Sequence, residues 1–160
     1  RSSANLFPAM VGTRLGKGIH KAKKIKNATI ERYYFNIIKA VFSNGNIKSS
    51  DELLGKNFGL ILNDFKNNLK ISEANLSLLK KHNFKIINFT ENNNESNFDN
   101  YISCQETHDD MKTYCERYDC NGVIVRPDKY VYDLISYGDN DNLEVVISNV
   151  LKSIKEKVDL

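Results

Sequence analysis

Apolar residues are grouped along this chain in a way that changes period several times. The run NFGLILNDF (57–65) is short, continuous and apolar, the pattern of a central strand covered on both faces. Ser72 to His82 (SEANLSLLKKH) instead carries Leu76 and Leu79 at helical spacing, with a Ser cap at its start and Lys80, Lys81 and His82 in its last turn, where the helix dipole favours cations. FKIINFT (84–90) reads as a second strand, so this stretch predicts a parallel strand-helix-strand unit. Thr107 to Tyr118 predicts a helix capped by Thr107 with Asp110 at the third position, its apolar side formed by Met111, Tyr114, Cys115 and Tyr118. GVIVRPDKYVYDLI (122–135) predicts an antiparallel hairpin, turned at Pro127-Asp128-Lys129. Leu143, Val146, Ile147, Val150, Leu151, Ile154 and Val158 then recur at three and four, the stripe of an amphipathic helix, with Asp141 as its cap and Glu144 answering it.

Earlier segments are less regular. TIERYYFNIIKAVF (29–42) is apolar and aromatic, with a period that fits either a strand or a short helix, and Ser43-Asn44-Gly45-Asn46 turns the chain after it. Ser49 to Gly55 predicts one helical turn, with a Ser cap, acids in the first turn and a glycine stop. Asn92 to Asn100 reads as a polar loop. Residues 1–28 form a basic, irregular lead-in broken by Pro8, Gly12, Gly16 and Gly18. The resulting order of strand, helix, strand, helix, hairpin and helix is the wiring of a thioredoxin-like α/β sandwich. Its sheet is expected to be mixed, with four to five strands, a βαβ half preceding a ββα half and the domain occupying residues 29–160.

Composition narrows the classes. The chain has 160 residues, 41% apolar and 27% charged, enough for a core without metal or disulfide staples. No window approaches the length of apolar residues that crosses a membrane, and no secretory signal pattern is visible, which makes the cytoplasm the default location. The opening Arg1-Ser2-Ser3, without Met, suggests a fragment of a longer chain. The net charge of +3 is split into +9 over residues 1–48 and −6 over the remainder. Such asymmetry fits a nucleic-acid or membrane-surface patch or, more simply, a solvated segment against an acidic neighbour. The basic run His20 to Lys26 has no interleaved aromatics for base stacking, which argues against nucleic acid.

The chemistry-bearing residues are sparse. A thioredoxin-fold oxidoreductase carries its nucleophilic cysteine just after the first central strand, at a helix N-terminus whose field lowers the thiol pKa. Here that segment is Asn63-Asp64-Phe65-Lys66-Asn67-Asn68. Cys104, Cys115 and Cys120 read as core thiols. On a continuous helix Cys115 and Cys120 would lie about 140° apart. Cys104 and His108 could share a helix face, yet no second pair completes a zinc site. Gly12 to Gly18 is one residue short of a phosphate-binding loop and lacks its Ser/Thr, and Gly16-x-Gly18 has no third glycine for a dinucleotide fingerprint. No paired carboxylates or Ser/His/Asp set can be assembled, and His20, His82 and His108 read as surface residues.

Three segments in order resemble one family. VGTRLGKGI (11–19) looks like a Pro-Gly-x-Arg-x-Pro-His entry, with Gly12 and Arg14 matching. SSDELLGKNFGLIL (49–62) looks like Ser-x-x-Asp-Leu-x-Gly-x-Gly-Phe-x-Leu-Leu, through Asp51, Leu54, Gly55 and Phe58. GVIVRPDKYVYDLI resembles Leu-Val-Arg-Pro-Asp-Gly-Tyr-Val-Ala-Trp, through Val125, Arg126, Pro127, Asp128, Tyr130 and Val131, with Lys129 where the pattern has glycine. The family is the C-terminal thioredoxin-like domain of FAD-dependent aromatic-ring hydroxylases of the phenol hydroxylase and p-hydroxybenzoate hydroxylase type. The resemblance implies a parent monooxygenase that uses FAD and NAD(P)H. It implies for this chain a redox-silent domain with no catalytic, cofactor or metal residues of its own, which buttresses its own upstream flavin-binding and substrate domains and can join a homodimer interface. A stand-alone thiol oxidoreductase or peroxiredoxin relative with an atypical cysteine, and a basic-tailed nucleic-acid or protein adaptor, are the competing readings. Within the hairpin, Arg126 is expected to pair with an acidic or carbonyl group that fixes the turn.

Overall fold

A computed structural model describes residues 34–92 and 94–158, with side chains as far as residue 155; Gly12, Arg14, His20 and the basic lead-in lie outside the described residues. The elements in chain order are β1 (Lys39–Val41), β2 (Ile47–Ser49), α1 (Ser50–Leu54), β3 (Phe58–Asn63), α2 (Glu73–Lys81), β4 (Phe84–Phe89), β5 (Tyr101–Glu106), α3 (Asp110–Tyr118), β6 (Gly122–Val125), β7 (Val131–Ile135) and α4 (Leu143–Val158). All seven strands join one sheet in the order β2-β1-β5-β4-β3-β6-β7. The β3-β4 and β4-β5 pairs are parallel and the remaining pairs antiparallel. The expected βαβ and ββα halves are therefore present, in a sheet with more strands than the expected four to five.

Three strands account for the difference. β1 and β2 have three residues each, too short for a period to register, and are joined by a turn in which Gly45 adopts φ 89°. β5 follows the polar loop after β4 and pairs beside it, although the connection is only residues 90–100. Phe98 makes so short a parallel crossover workable, because it buries itself in the core as the loop passes over the sheet.

Alternation along β3 explains why its run is continuously apolar. Leu60 and Leu62 face one core with Ile86, Leu79 of α2 and Leu143, Val146, Ile147 and Val150 of α4. Ile61 faces the other with Ile87, Leu54 of α1, and Met111 and Cys115 of α3. Each of these aliphatic side chains contributes about 1.5–3 kcal/mol by leaving water, so the sheet is held from both sides.

The starts of α1 and α2 follow the expected caps, whereas those of α3 and α4 are set by other residues. Ser49 and Glu52 form a reciprocal capping box on α1, closed by Gly55 at φ 59°. Ser72 caps α2 as expected. At α3, however, Thr107 is held in the exit from β5, donating its N–H to the Lys39 carbonyl. The helix begins at Asp110 because the Glu106 carboxylate accepts the N–H groups of Met111 and Lys112 at 2.7 and 3.3 Å. At α4 the cap is Asn142, whose Oδ1 accepts the Val145 N–H at 3.0 Å. Asp141 instead accepts from Gly138, and Glu144 reaches across to Ser72 and Asn75 of the α2 start. Among the described residues no helix is long and apolar enough to cross a membrane.

Candidate functional site

In a thioredoxin-like sheet, chemistry belongs at the carboxyl end of the first central strand, here the end of β3. The chain leaves β3 through Asp64, which adopts φ 53° and donates its N–H to the Phe89 carbonyl at 2.7 Å. The Asp64 carboxylate accepts the Thr90 hydroxyl at 2.7 Å and has the exposed Lys66 ammonium at 3.3 Å. Phe65 then turns inward, buried against the Tyr137 ring at 5.0 Å.

Asn88 of β4 is the residue that fixes this turn. Its side chain is 1% exposed. Its Oδ1 accepts the Phe65 N–H and its Nδ2 donates to the Phe65 carbonyl, both at 2.9 Å, and Nδ2 also reaches the Tyr101 hydroxyl at 3.0 Å. A buried amide that satisfies both main-chain groups of one residue acts as a clasp, since releasing it would strand three polar groups. The chain then runs as an irregular segment to Ser72, anchored by Asn67 and Asn68 against the α4 approach, before α2 starts at Glu73. Consequently no helix N-terminus stands directly behind β3, and the field that would acidify a thiol there is missing along with the thiol.

The cysteines lie elsewhere and are buried. Cys104 is on β5, and its thiol is pushed up to about 12 by burial first and by Glu106 second. It shares no helix with His108, because the strand and its exit loop separate them. Cys120 is held well above the usual thiol range by its hydrogen bond to Cys115 and by burial. No group of three or more His, Cys, Asp or Glu side chains arranged for a metal occurs among the described residues.

A polar cleft of about 550 Å³ opens at the same edge, lined by Asn63, Asp64, Lys66, Thr90, Glu106 and Lys112 among others. Burial raises the Glu106 carboxyl against the lowering effect of its two helix N–H donors. The cleft mixes both charges, with Lys66 and Lys112 set among Asp64, Glu91, Glu106 and Asp109.

The residues marked by the sequence pattern gather at the opposite end of β3. Gly59 pairs with Val125, and Leu54 packs directly over Gly59. Phe58 meets Tyr132 edge to face at 6.1 Å. Arg126 Nη2 donates to Asp128 Oδ2 at 2.5 Å, the acidic partner expected for it, and Asp128 Oδ1 accepts the Tyr130 N–H. Lys129, at φ 74°, sends its ammonium to the carbonyls of Gly55 and Pro127. Asp51 contributes its carbonyl to the Gly55 N–H, and Tyr130 bridges to Tyr34 with ring centroids 5.3 Å apart. Asn88 and Lys129 are not among the positions that the sequence pattern marks. Asn88 had a legible signal, an amide inside an apolar strand; the reach of Lys129 to Gly55 had none.

The fold is that of a thioredoxin-like protein. Solved structures sharing it include a thiol:disulfide interchange protein from Bacteroides sp. (TM-score 0.50, 15% identity, 79% of this chain and 89% of that one). A yeast mitochondrial 1-Cys peroxiredoxin (0.50, 12%, 78% and 76%) and peroxiredoxin 6 of Arenicola marina (0.51, 13%, 79% and 73%) share it too. At such identities the likeness is one of fold. No curated protein matches the chain. Residues 39–149 match the model of the HcaD C-terminal domain, and the chain belongs to that family.

Proposed function

We propose that this chain is the redox-silent C-terminal domain of a FAD- and NAD(P)H-dependent flavoprotein that serves an aromatic-ring oxygenase, where it buttresses the flavin-binding and substrate domains and contributes to a dimer. The family match supports the coarser part, a C-terminal domain of the reductase side of an aromatic-ring dioxygenase. The observation that carries redox silence is the end of β3, where Asp64 and Phe65, clasped by Asn88, occupy the place of a catalytic thiol. FAD and NAD(P)H would be held by other domains. The described residues do not fit a dinucleotide, because the β3 to α2 connection contains no glycine to let a backbone approach phosphates.

The test is threefold on this chain. Added FAD should leave its absorbance spectrum unshifted after desalting, insulin reduction should stay at the dithiothreitol background, and hydrogen peroxide should not be turned over. Retained flavin would refute the structural role, and catalytic turnover would favour a thiol oxidoreductase of the same fold.

A further inference from the structure

Cys115 and Cys120 should be far apart if helix geometry alone placed them, since five residues of continuous helix rotate about 140° past alignment. α3 does not continue. It ends at Tyr118, Asp119 adopts the left-handed conformation at φ 54° and ψ 53°, and the Cys120 N–H returns to the Cys115 carbonyl at 3.0 Å. That six-residue ring is a Schellman closure, which lays the residue after the left-handed position against the one that starts the last turn. Both cysteines enter the same core cluster, and the Cys115 side chain is the first cause that holds the Cys120 thiol up. Both are reduced here.

We propose that Cys115 and Cys120 are an oxidation site that closes to a reversible intrachain disulfide across the end of α3. Disulfides need Cα atoms about 4.4–6.8 Å apart, and a backbone hydrogen bond joining the same two residues keeps them on that scale. A second observation points at the pair. The Tyr114 hydroxyl is buried without a hydrogen-bond partner among the described residues, and its electrostatic neighbours are Cys120, Tyr118 and Cys115. It is an unsatisfied donor packed against the same cluster as the two sulfurs.

The chemistry balances with a hydroperoxide as oxidant. One thiolate attacks the peroxide oxygen, an S–O bond forms, the O–O bond breaks, and the leaving oxygen departs protonated as an alcohol or water. The sulfenic acid formed accepts a hydrogen bond from Tyr114. The second thiol attacks that sulfur, an S–S bond forms, the S–O bond breaks and water leaves. Two electrons pass from the sulfurs to the peroxide. Burial makes the thiolate scarce, so the step is slow and stoichiometric and stands apart from catalytic turnover.

The folded chain is exposed to hydrogen peroxide, quenched, alkylated and digested with trypsin, which cuts after Arg117 and separates the two cysteines. The alkylatable thiols should fall from three to one. Peptides 113–117 and 118–129 should be recovered joined, and separated by dithiothreitol. Cys104→Ser should leave the link intact, Cys115→Ser should abolish it, and Tyr114→Phe should slow its formation several-fold. Alkylation at all three cysteines after peroxide, or links through Cys104 or between chains, would overturn the proposal. The peptide map reads this pair alone, whereas insulin and peroxide turnover read the redox-silent role, so either can fail without the other.

Discussion

Lys129 holds the hairpin turn under two opposing influences that a pair of substitutions separates. Its backbone sits at φ 74°, a region that costs a residue with a Cβ about 1–2 kcal/mol. Its ammonium meanwhile donates to the Gly55 and Pro127 carbonyls. Charged hydrogen bonds are worth about 1.5–3 kcal/mol when buried, but this side chain is only partly buried, and screening brings the expected gain to about 1 kcal/mol. Lys129→Ala removes the contacts and keeps the strain, for a loss of about 1 kcal/mol. Lys129→Gly removes the contacts and the strain together and should fall close to the parent, less the entropy that glycine adds to the unfolded chain. The Gly variant should therefore exceed the Ala variant by about 1 kcal/mol, or about 2–4 °C in Tm for a domain of this size. The chain has no Trp, so urea and thermal unfolding are followed by far-ultraviolet circular dichroism and tyrosine fluorescence. A Gly variant no more stable than the Ala variant would refute the assignment of strain to this position.

Gly122→Ala should destabilise by about 1–3 kcal/mol, because its Cβ would meet the Ile61 carbonyl oxygen at 2.6 Å; Gly138→Ala, with its nearest neighbour at 3.9 Å, should be close to neutral in the same urea titration. Asn88→Ala should cost about 3 kcal/mol by stranding the Phe65 N–H and carbonyl, and limited proteolysis should show faster cutting within residues 64–72. The Glu144 carboxyl is lowered, chiefly by the Ser72 N–H. Its stabilisation is therefore present above the ordinary carboxylate pKa and is lost as pH falls through the folded value, so Glu144→Gln should flatten the acid limb of stability below about pH 4. Glu106, raised chiefly by burial, has the opposite sign: its contribution is present below the ordinary value and is lost as pH rises through the folded one.

What the sequence disclosed depended on how local the determining interactions are. β3, α2, β4, the β6-β7 hairpin and α4 declare themselves through period, caps and turn residues that act within a few positions. β5 does not, because YISCQE is half exposed along most of its length and its pairing with β4 depends on Phe98 seating a loop that otherwise reads as polar. The α3 and α4 caps differ from the expected ones for a related reason. Glu106 and Asn142 won over Thr107 and Asp141 through the path of the preceding chain, which no spacing rule encodes. The helix end at Tyr118 is legible, but the return of Cys120 to Cys115 is not, because it depends on the left-handed turn at Asp119, which no spacing rule encodes.

The polarity of β3 finally decides what the sequence resemblance marks. Leu54, Gly55, Phe58, Arg126, Asp128 and Lys129 assemble around its Phe58 end, through the Gly59–Val125 pairing, the seat of Leu54 on Gly59 and the Lys129 bond to Gly55. The position at which this fold places a redox thiol is the Asn63 end, roughly 17 Å away at the rise of an extended strand. Residues gathered there cannot touch a group reacting at the other end, so the Arg-Pro-Asp turn and the Asp-Glu-Leu-Leu-Gly segment brace each other and set the register of β6 on β3. A pattern that signals kinship strongly while sitting at the non-reacting end of the sheet is what a domain retained for its architecture would carry.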